Sequence, residues 1–263
     1  MPILNVTYPD NNACAVSSYA RCDGKSCTWT VPAGVTIATF EVWGGGGGGG
    51  NRICGSTSMC CNQGQAGAGG GYSKVTIPVE AGQQYVLCAG NGGQSPGGDD
   101  NGYYGGSANG GCCNGCPGGT SYVTGPAPLP ASFCATGAGY SCGDGNFSCQ
   151  AWCGWNNCRF GRGCNGQVNA TGGVGVVYTG STTQNAMDVH AMGGAGGGPG
   201  GGPGGVKVGN NYSYGAQWYS SGVNSFQTGG FPGGGGVGGG YYSNCGCCYA
   251  GSPGGAGLVR VTY

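Results

Sequence analysis

Cysteine is the side chain most able to do chemistry in this chain. There are 19, at Cys14, Cys22, Cys27, Cys54, Cys60, Cys61, Cys88, Cys112, Cys113, Cys116, Cys134, Cys142, Cys149, Cys153, Cys158, Cys164, Cys245, Cys247 and Cys248. Cys112-Cys113-Asn114-Gly115-Cys116 and Cys245-Gly246-Cys247-Cys248 have spacings that a zinc or iron–sulfur site would accept. Adjacent cysteines are equally at home in disulfide scaffolds. A chain poor in conventional core gains about 2–4 kcal/mol per crosslink, so every cysteine is read as a disulfide candidate and no metal is assigned. The count is odd, so at least one thiol stays unpaired within the chain or pairs outside it.

Other chemistry has few residues to draw on. His190 is the single histidine, so a Cys–His or Ser–His nucleophile system would have to use it, and nothing beside it in the sequence supports that role. Asp99-Asp100-Asn101-Gly102 has calcium-type ligands but reads as a surface turn. Eight acidic residues in all leave little scope for a paired-carboxylate glycosidase. Gly-x-Gly-x-x-Gly recurs, but among 69 glycines it carries no information, and no Gly-Lys-Ser/Thr follows to make a phosphate loop. The expectation is a protein that is not an enzyme and has no cofactor.

The aromatic residues are the better candidates for recognition. Tyr103, Tyr104, Trp152, Trp155, Tyr212, Tyr214, Trp218, Tyr219, Tyr241 and Tyr242 lie among small residues in stretches without strand patterning. Tyr and Trp give rigid, amphipathic contact area at low entropy cost, as binding loops require, and they stack on sugar rings. The alternative is that they cap glycine layers or form a minor core.

The elements that would hold these residues are β-strands interrupted by glycine. Ile3 to Tyr8 alternates weakly, as an edge strand does. In Ile37 to Trp43, Ala38, Phe40 and Val42 point one way, and Thr39 and Glu41 the other. Val75, Ile77 and Val79 share a second face. The Glu80-Ala81-Gly82-Gln83 turn and the run Gln84 to Cys88 then read as the second arm of a hairpin, with Pro78 marking an edge or an interruption. Thr28 to Val31, Thr120 to Val123, Val174 to Tyr178 and the closing Leu258 to Tyr263 complete the set. No useful stretch has helical periodicity, and glycine every few residues costs about 1 kcal/mol each against alanine in a helix.

Seven consecutive glycines, Gly44 to Gly50, follow Trp43 directly. A flexible linker is the default for such a run. Disorder normally lacks aromatics and cysteine, however, and this chain has 16 Tyr, 5 Trp, 6 Phe and its cysteine load. Polyproline-II helices packed side by side are the ordered option, because glycine allows lateral backbone hydrogen bonds at close approach. Collagen fails, since no Gly-X-Y register survives from Gly193 to Gly205. The chain divides into an N-terminal attachment segment, 1–28, and a glycine-rich β domain, 29–263, with scaffold strands near 29–43, 72–89 and 258–263.

Charged residues are 6% of the chain and the formal net charge is zero. That gives no basic footprint for nucleic acid and no cationic face for a membrane. No apolar run approaches the roughly 20 residues of a membrane span. The opening Met1-Pro2-Ile3-Leu4-Asn5 has neither the basic start nor the apolar core of a secretory leader. Disulfide-type composition without such a leader fits a virus particle protein, oxidised after host lysis, or a mature or engineered chain starting at Met1. The rival is a set of thiols that stays reduced or binds metal.

Thr30-Val31-Pro32-Ala33-Gly34-Val35-Thr36, the strand ending Val42-Trp43-Gly44, Gly70-Gly71-Tyr72, Tyr85-Val86-Leu87, Gly90-Asn91-Gly92-Gly93, Gly118-Gly119-Thr120-Ser121 and the closing Gly257 to Val261 occur in a telling order. Over roughly 28–263 this order resembles the glycine-rich domain of bacteriophage tail-fibre and adhesin proteins. A similar pattern occurs in the glycine-rich extracellular domain of animal receptor kinases. The resemblance implies an all-β, jelly-roll-like sandwich with long glycine-rich loops, packed polyglycine helices and almost no α-helix. It also implies a place on the outer, extracellular surface of a virion. The expected function is receptor binding by a tail-fibre or adhesin module. Its expected partners are other virion proteins of fibre or capsid, its own copies in a homo-oligomer (a trimer), and a host-surface glycan or outer-membrane protein. The alternatives are a structural virion protein, such as a capsid decoration or fibre-shaft subunit, and a secreted matrix or receptor-type domain. The cysteine load departs from the phage pattern.

Overall fold

The computed structural model of the chain describes residues 2–7, 26–50, 66–95, 115–139, 160–177, 191–205, 229–236 and 251–263. Among these residues there are twelve short strands and no helix. They are β1 (Ile3–Thr7), β2 (Ser26–Thr30), β3 (Ile37–Trp43), β4 (Tyr72–Pro78), β5 (Gln84–Cys88), β6 (Ser121–Thr124), β7 (Cys134–Ala135), β8 (Gly163–Cys164), β9 (Val168–Ala170), β10 (Val176–Val177), β11 (Ala191–Met192) and β12 (Leu258–Thr262).

Two five-stranded sheets carry the core, in the orders β1-β12-β3-β4-β9 and β2-β5-β6-β7-β8, and β10 pairs with β11 separately. Every pairing is antiparallel. The alternation read in β3 holds: Ala38, Phe40 and Val42 are buried, with Val75 and Ile77 of β4 and Val259 and Val261 of β12 beside them. The second sheet answers with Trp29, Tyr85, Leu87, Val123, Phe133 and Ala135. Trp29, Phe40 and Tyr85 meet as an aromatic triad, with ring centroids 5.0–5.8 Å apart. Burying each large side chain stabilises by about 1.5–3 kcal/mol, so this interface is what holds the strands at all.

β4 and β5 are not a hairpin. β4 pairs with β3, whereas β5 pairs with β2 and β6 in the opposite sheet. Both strands have one apolar face, and a flat hairpin would leave both faces needing a partner. The turn at Gly82 (φ +85°) instead carries the chain across the core, so that Val75, Ile77 and Val79 oppose Tyr85 and Leu87. Pro78 ends β4 opposite Ile37, beyond the reach of β9, which pairs only with Tyr72 to Lys74. A missing N–H costs nothing on that open side.

Beyond Trp43 the chain stays buried with no side chains at all: Gly44 to Gly50 are buried throughout. Their hydrogen bonds repeat every three residues. Gly44 and Gly47 donate to Gly71 and Ala68; Gly45 and Gly48 to Gly119 and Cys116; Gly46 and Gly49 to Gly255 and Ser252. The carbonyls of Gly45, Gly46 and Gly47 accept from Ala138, Gly93 and Gly236. Six neighbouring segments therefore surround one glycine segment. A strand, with its period of two, bonds to two neighbours. Gly69 to Gly71 repeat the motif one segment over, donating to Gly173, Gly233 and Thr136. The buried backbone of this glycine body thus finds lateral partners in neighbouring segments, as buried peptide groups need.

Candidate functional site

The glycine body rises directly from the ends of the sandwich strands. At the junction Leu258, Trp43 and Tyr72 lie in one cross-strand row. The buried Ser121 hydroxyl donates to the Trp43 carbonyl at 2.5 Å and accepts from the Gly90 N–H at 2.9 Å, which ties the second sheet to the first at the point where side chains give way to glycine. Above the junction, a Cβ on Gly45 would fall on the Asn91 carbonyl, on Gly46 on the Gly234 carbonyl, and on Gly70 on the Gly44 carbonyl. Side chains are excluded there by neighbouring backbone. Alanine enters at Ala66, Ala68 and Ala138, all buried, so the body is not pure glycine.

Gly49 bonds to Ser252, Gly48 to Cys116, Gly67 to Gly236 and Gly193 to Gly205. Gly139 packs beside Gly47, Gln94 beside Gly48, and Ala66 beside Gly175. These residues stand near the borders of the segments 51–65, 96–114, 140–159, 178–190, 206–228 and 237–250, which lie outside the described residues. Two turns of the glycine body, at Gly198 to Gly200 and at Phe231 to Gly233, lie at the sandwich end, where Gly198 stands against Tyr72 and Gly233 beside the Gly44 carbonyl. Gly198, Gly200 and Gly233 have φ of 69–76°, which glycine adopts without strain. Gly198 also presses on the Tyr72 ring, where any side chain would collide.

The ten aromatic residues proposed for recognition fall in four of those segments and lie outside the described residues. So do fourteen of the cysteines, His190 and the Asp99-Asp100 turn. Of the cysteines that are described, Cys27 faces the core, Cys116 belongs to the glycine body, and Cys88 (buried), Cys134 and Cys164 (both half-buried) lie in one cross-strand row on the face of the second sheet away from that core. Among the described residues no group of three His, Cys, Asp or Glu side chains is placed to hold a metal ion, and no helix is long and apolar enough to cross a membrane.

One polar cluster escaped the reading of the sequence. On the outer face of the first sheet, the Tyr72 hydroxyl donates to Glu41 Oε1 at 2.8 Å. The Arg260 guanidinium lies 5.2 Å from the Trp43 ring centroid and 4.0 Å from Glu41 Oε2, and its Nε donates to Asn5 Oδ1 at 3.1 Å. Burial, with the Glu41 hydrogen bond and charge, pushes the Tyr72 hydroxyl well above its ordinary range, against a small opposing pull from Arg260. Tyr72 is thus a fixed donor at neutral pH and no base. Glu41 sitting on the polar side of an alternating strand was the signal; its partners, some 30 and 220 residues away in sequence, had none.

An all-β sandwich prolonged by a buried, backbone-bonded glycine body defines the class of this protein. A family model described as a glycine-rich domain matches residues 21–263, and the chain belongs to that family. β1 lies ahead of the matched region. No curated protein matches the chain.

Proposed function

We propose that this glycine-rich domain is a virion surface module of tail-fibre or adhesin type that binds a host-surface receptor, a glycan or an outer-membrane protein. One observation carries the reading: a glycine body held by lateral backbone hydrogen bonds, in a chain whose sequence interrupts it with segments that bear all ten candidate aromatics. Rigid anchoring lowers the ordering cost of recognition, and Tyr- and Trp-rich segments supply sugar-stacking surface. In this reading the glycine segments are polyglycine II helices. A hydrogen-bond repeat of three residues is what an extended left-handed helix with three residues per turn gives. The two sheets form a jelly-roll-like base, and disulfides among the cysteines staple the body from outside. Copies of the chain assemble on a fibre or capsid, and no reaction is catalysed.

The test uses labelled full-length protein against a panel of bacterial cells and isolated surface glycans. Saturable retention on some cells is expected, lost in a Trp155→Ala, Tyr214→Ala double variant whose melting temperature is unchanged. Retention on none of the panel, together with antibody decoration spread over capsids, would instead favour a structural virion protein.

A further inference from the structure

We propose that Cys134 and Cys164 form a reversible cross-strand disulfide that opens and closes with the surrounding thiol redox state. Both are half-buried thiols, and they are direct partners in the β7–β8 ladder. Thr136 donates its N–H to the Arg162 carbonyl two residues along the same ladder. The alternation of an antiparallel pair therefore makes Cys134/Cys164 a hydrogen-bonded pair too, with Cα atoms about 5.5 Å apart, within the Cα range of a disulfide. The Cβ atoms of such a pair stand toward the wide end of about 4.5–5.5 Å, so closing the bond must draw the two strands together. The other described cysteines of the sheets have no such geometry. Cys27 lies on the core face with Leu87, while Cys88, which is buried, lies on the opposite face of the sheet. Cys88 stands two strands from Cys134 with Tyr122 between them, roughly 9.5 Å away and beyond bridging distance.

The position also explains why the bond would be reversible. The Cys164 thiol is turned toward the Arg162 carbonyl, 3.8 Å away, so closure requires a rotamer change in a half-buried pair, and a bridge that solvent can reach in part is more labile than a buried one. A low-molecular-weight disulfide such as oxidised glutathione is the oxidant. One cysteine thiolate attacks a glutathione sulfur and releases one glutathione thiolate. The second cysteine then attacks the mixed disulfide at the protein sulfur and releases the other. The protein loses two thiol protons and two electrons, and two glutathione thiols are formed. The bridge would clamp β7 to β8, the antiparallel neighbours from which the chain passes to β9 of the first sheet.

This inference is one specific case of the stapled scaffold and fails separately from it. The full chain is equilibrated in glutathione buffers of graded ratio, quenched with an alkylating reagent, and digested with trypsin and chymotrypsin. Cys134 then lies alone in the peptide 134–140 and Cys164 alone in 163–178. The expected product is these two peptides joined under oxidising buffer, separating as reduced glutathione is raised, with Cys164 going from protected to fully labelled in a Cys134→Ser variant. Either cysteine joined to a different one, or both alkylated in the most oxidising buffer, overturns the proposal. Other cysteines found bridged in the same digest would leave the stapled scaffold standing.

Discussion

A single methyl group distinguishes the glycines that fill this molecule from those that merely turn it. At Gly46 a Cβ would occupy the position of the Gly234 carbonyl. The neighbour cannot give way, because backbone has no rotamers to change and its hydrogen bonds would break in moving. Gly46→Ala is therefore expected to cost about 3 kcal/mol or more, from overpacking and lost lateral bonds together. Gly34 is the contrast: its φ is +84° but nothing lies within 4 Å of an added Cβ, so Gly34→Ala should cost only about 1 kcal/mol of left-handed strain. Denaturant midpoints of the two variants measure this directly; equal losses would mean that the glycine body is not close-packed. Phe40, fully buried in the aromatic triad, sets the scale for an ordinary core, where Phe→Ala removes about 3–5 kcal/mol.

Among the elements, the outer cluster on β3, β4 and β12 ties the base of the glycine body to the first sheet. The Arg260–Glu41 pair is long at 4.0 Å and the Arg260 side chain is 39% exposed, so its Coulomb contribution is small. The Tyr72–Glu41 hydrogen bond, under the Gly198 turn, matters more. Tyr72→Phe is expected to lower stability by about 1–2 kcal/mol at neutral pH. The pH dependence follows from the raised Tyr72 value. The unfolded chain ionises this hydroxyl near its ordinary value of 10.0 while the folded protein keeps the proton. Its contribution is thus complete below that pH and is lost as the pH rises above it. Alkaline unfolding should be less steep in Tyr72→Phe; an unchanged slope would remove Tyr72 from the account. β1 is a weaker element, paired only with β12 and contributing Leu4 to the edge of the core. A chain lacking residues 1–7 should fold with a stability lower by about 1–2 kcal/mol, and failure to fold would show that β1 closes the sandwich. How legible each element was follows from its physics. β3 and β12 announce themselves by alternation because one face is buried. β7, β8 and β9 do not: Gly163 and Asn169 carry no apolar period, and the pairing comes from the chain crossing between sheets. The hairpin reading of β4 and β5 failed for a related reason, since alternation fixes a face but not the sheet that the face belongs to.

At the scale of the whole molecule, the sandwich holds the strands, and the strands hold the glycine body in register. The Gly44 to Gly50 run was legible as something other than linker only through its company of aromatics and cysteines. Its partners were not legible, because the residues that bond to it, from Ala68 to Ser252, share no pattern beyond being small. Amide hydrogen exchange on full-length protein labelled at glycine tests this account most directly. Gly44 to Gly49 and Gly67 to Gly71 are predicted to exchange as slowly as Phe40 and Val42 in β3, since their N–H groups are buried and bonded laterally. Exchange of these glycines at the rate of an unstructured chain, with β3 still protected, would contradict it: the sandwich would then stand alone, with the glycine runs as tethers.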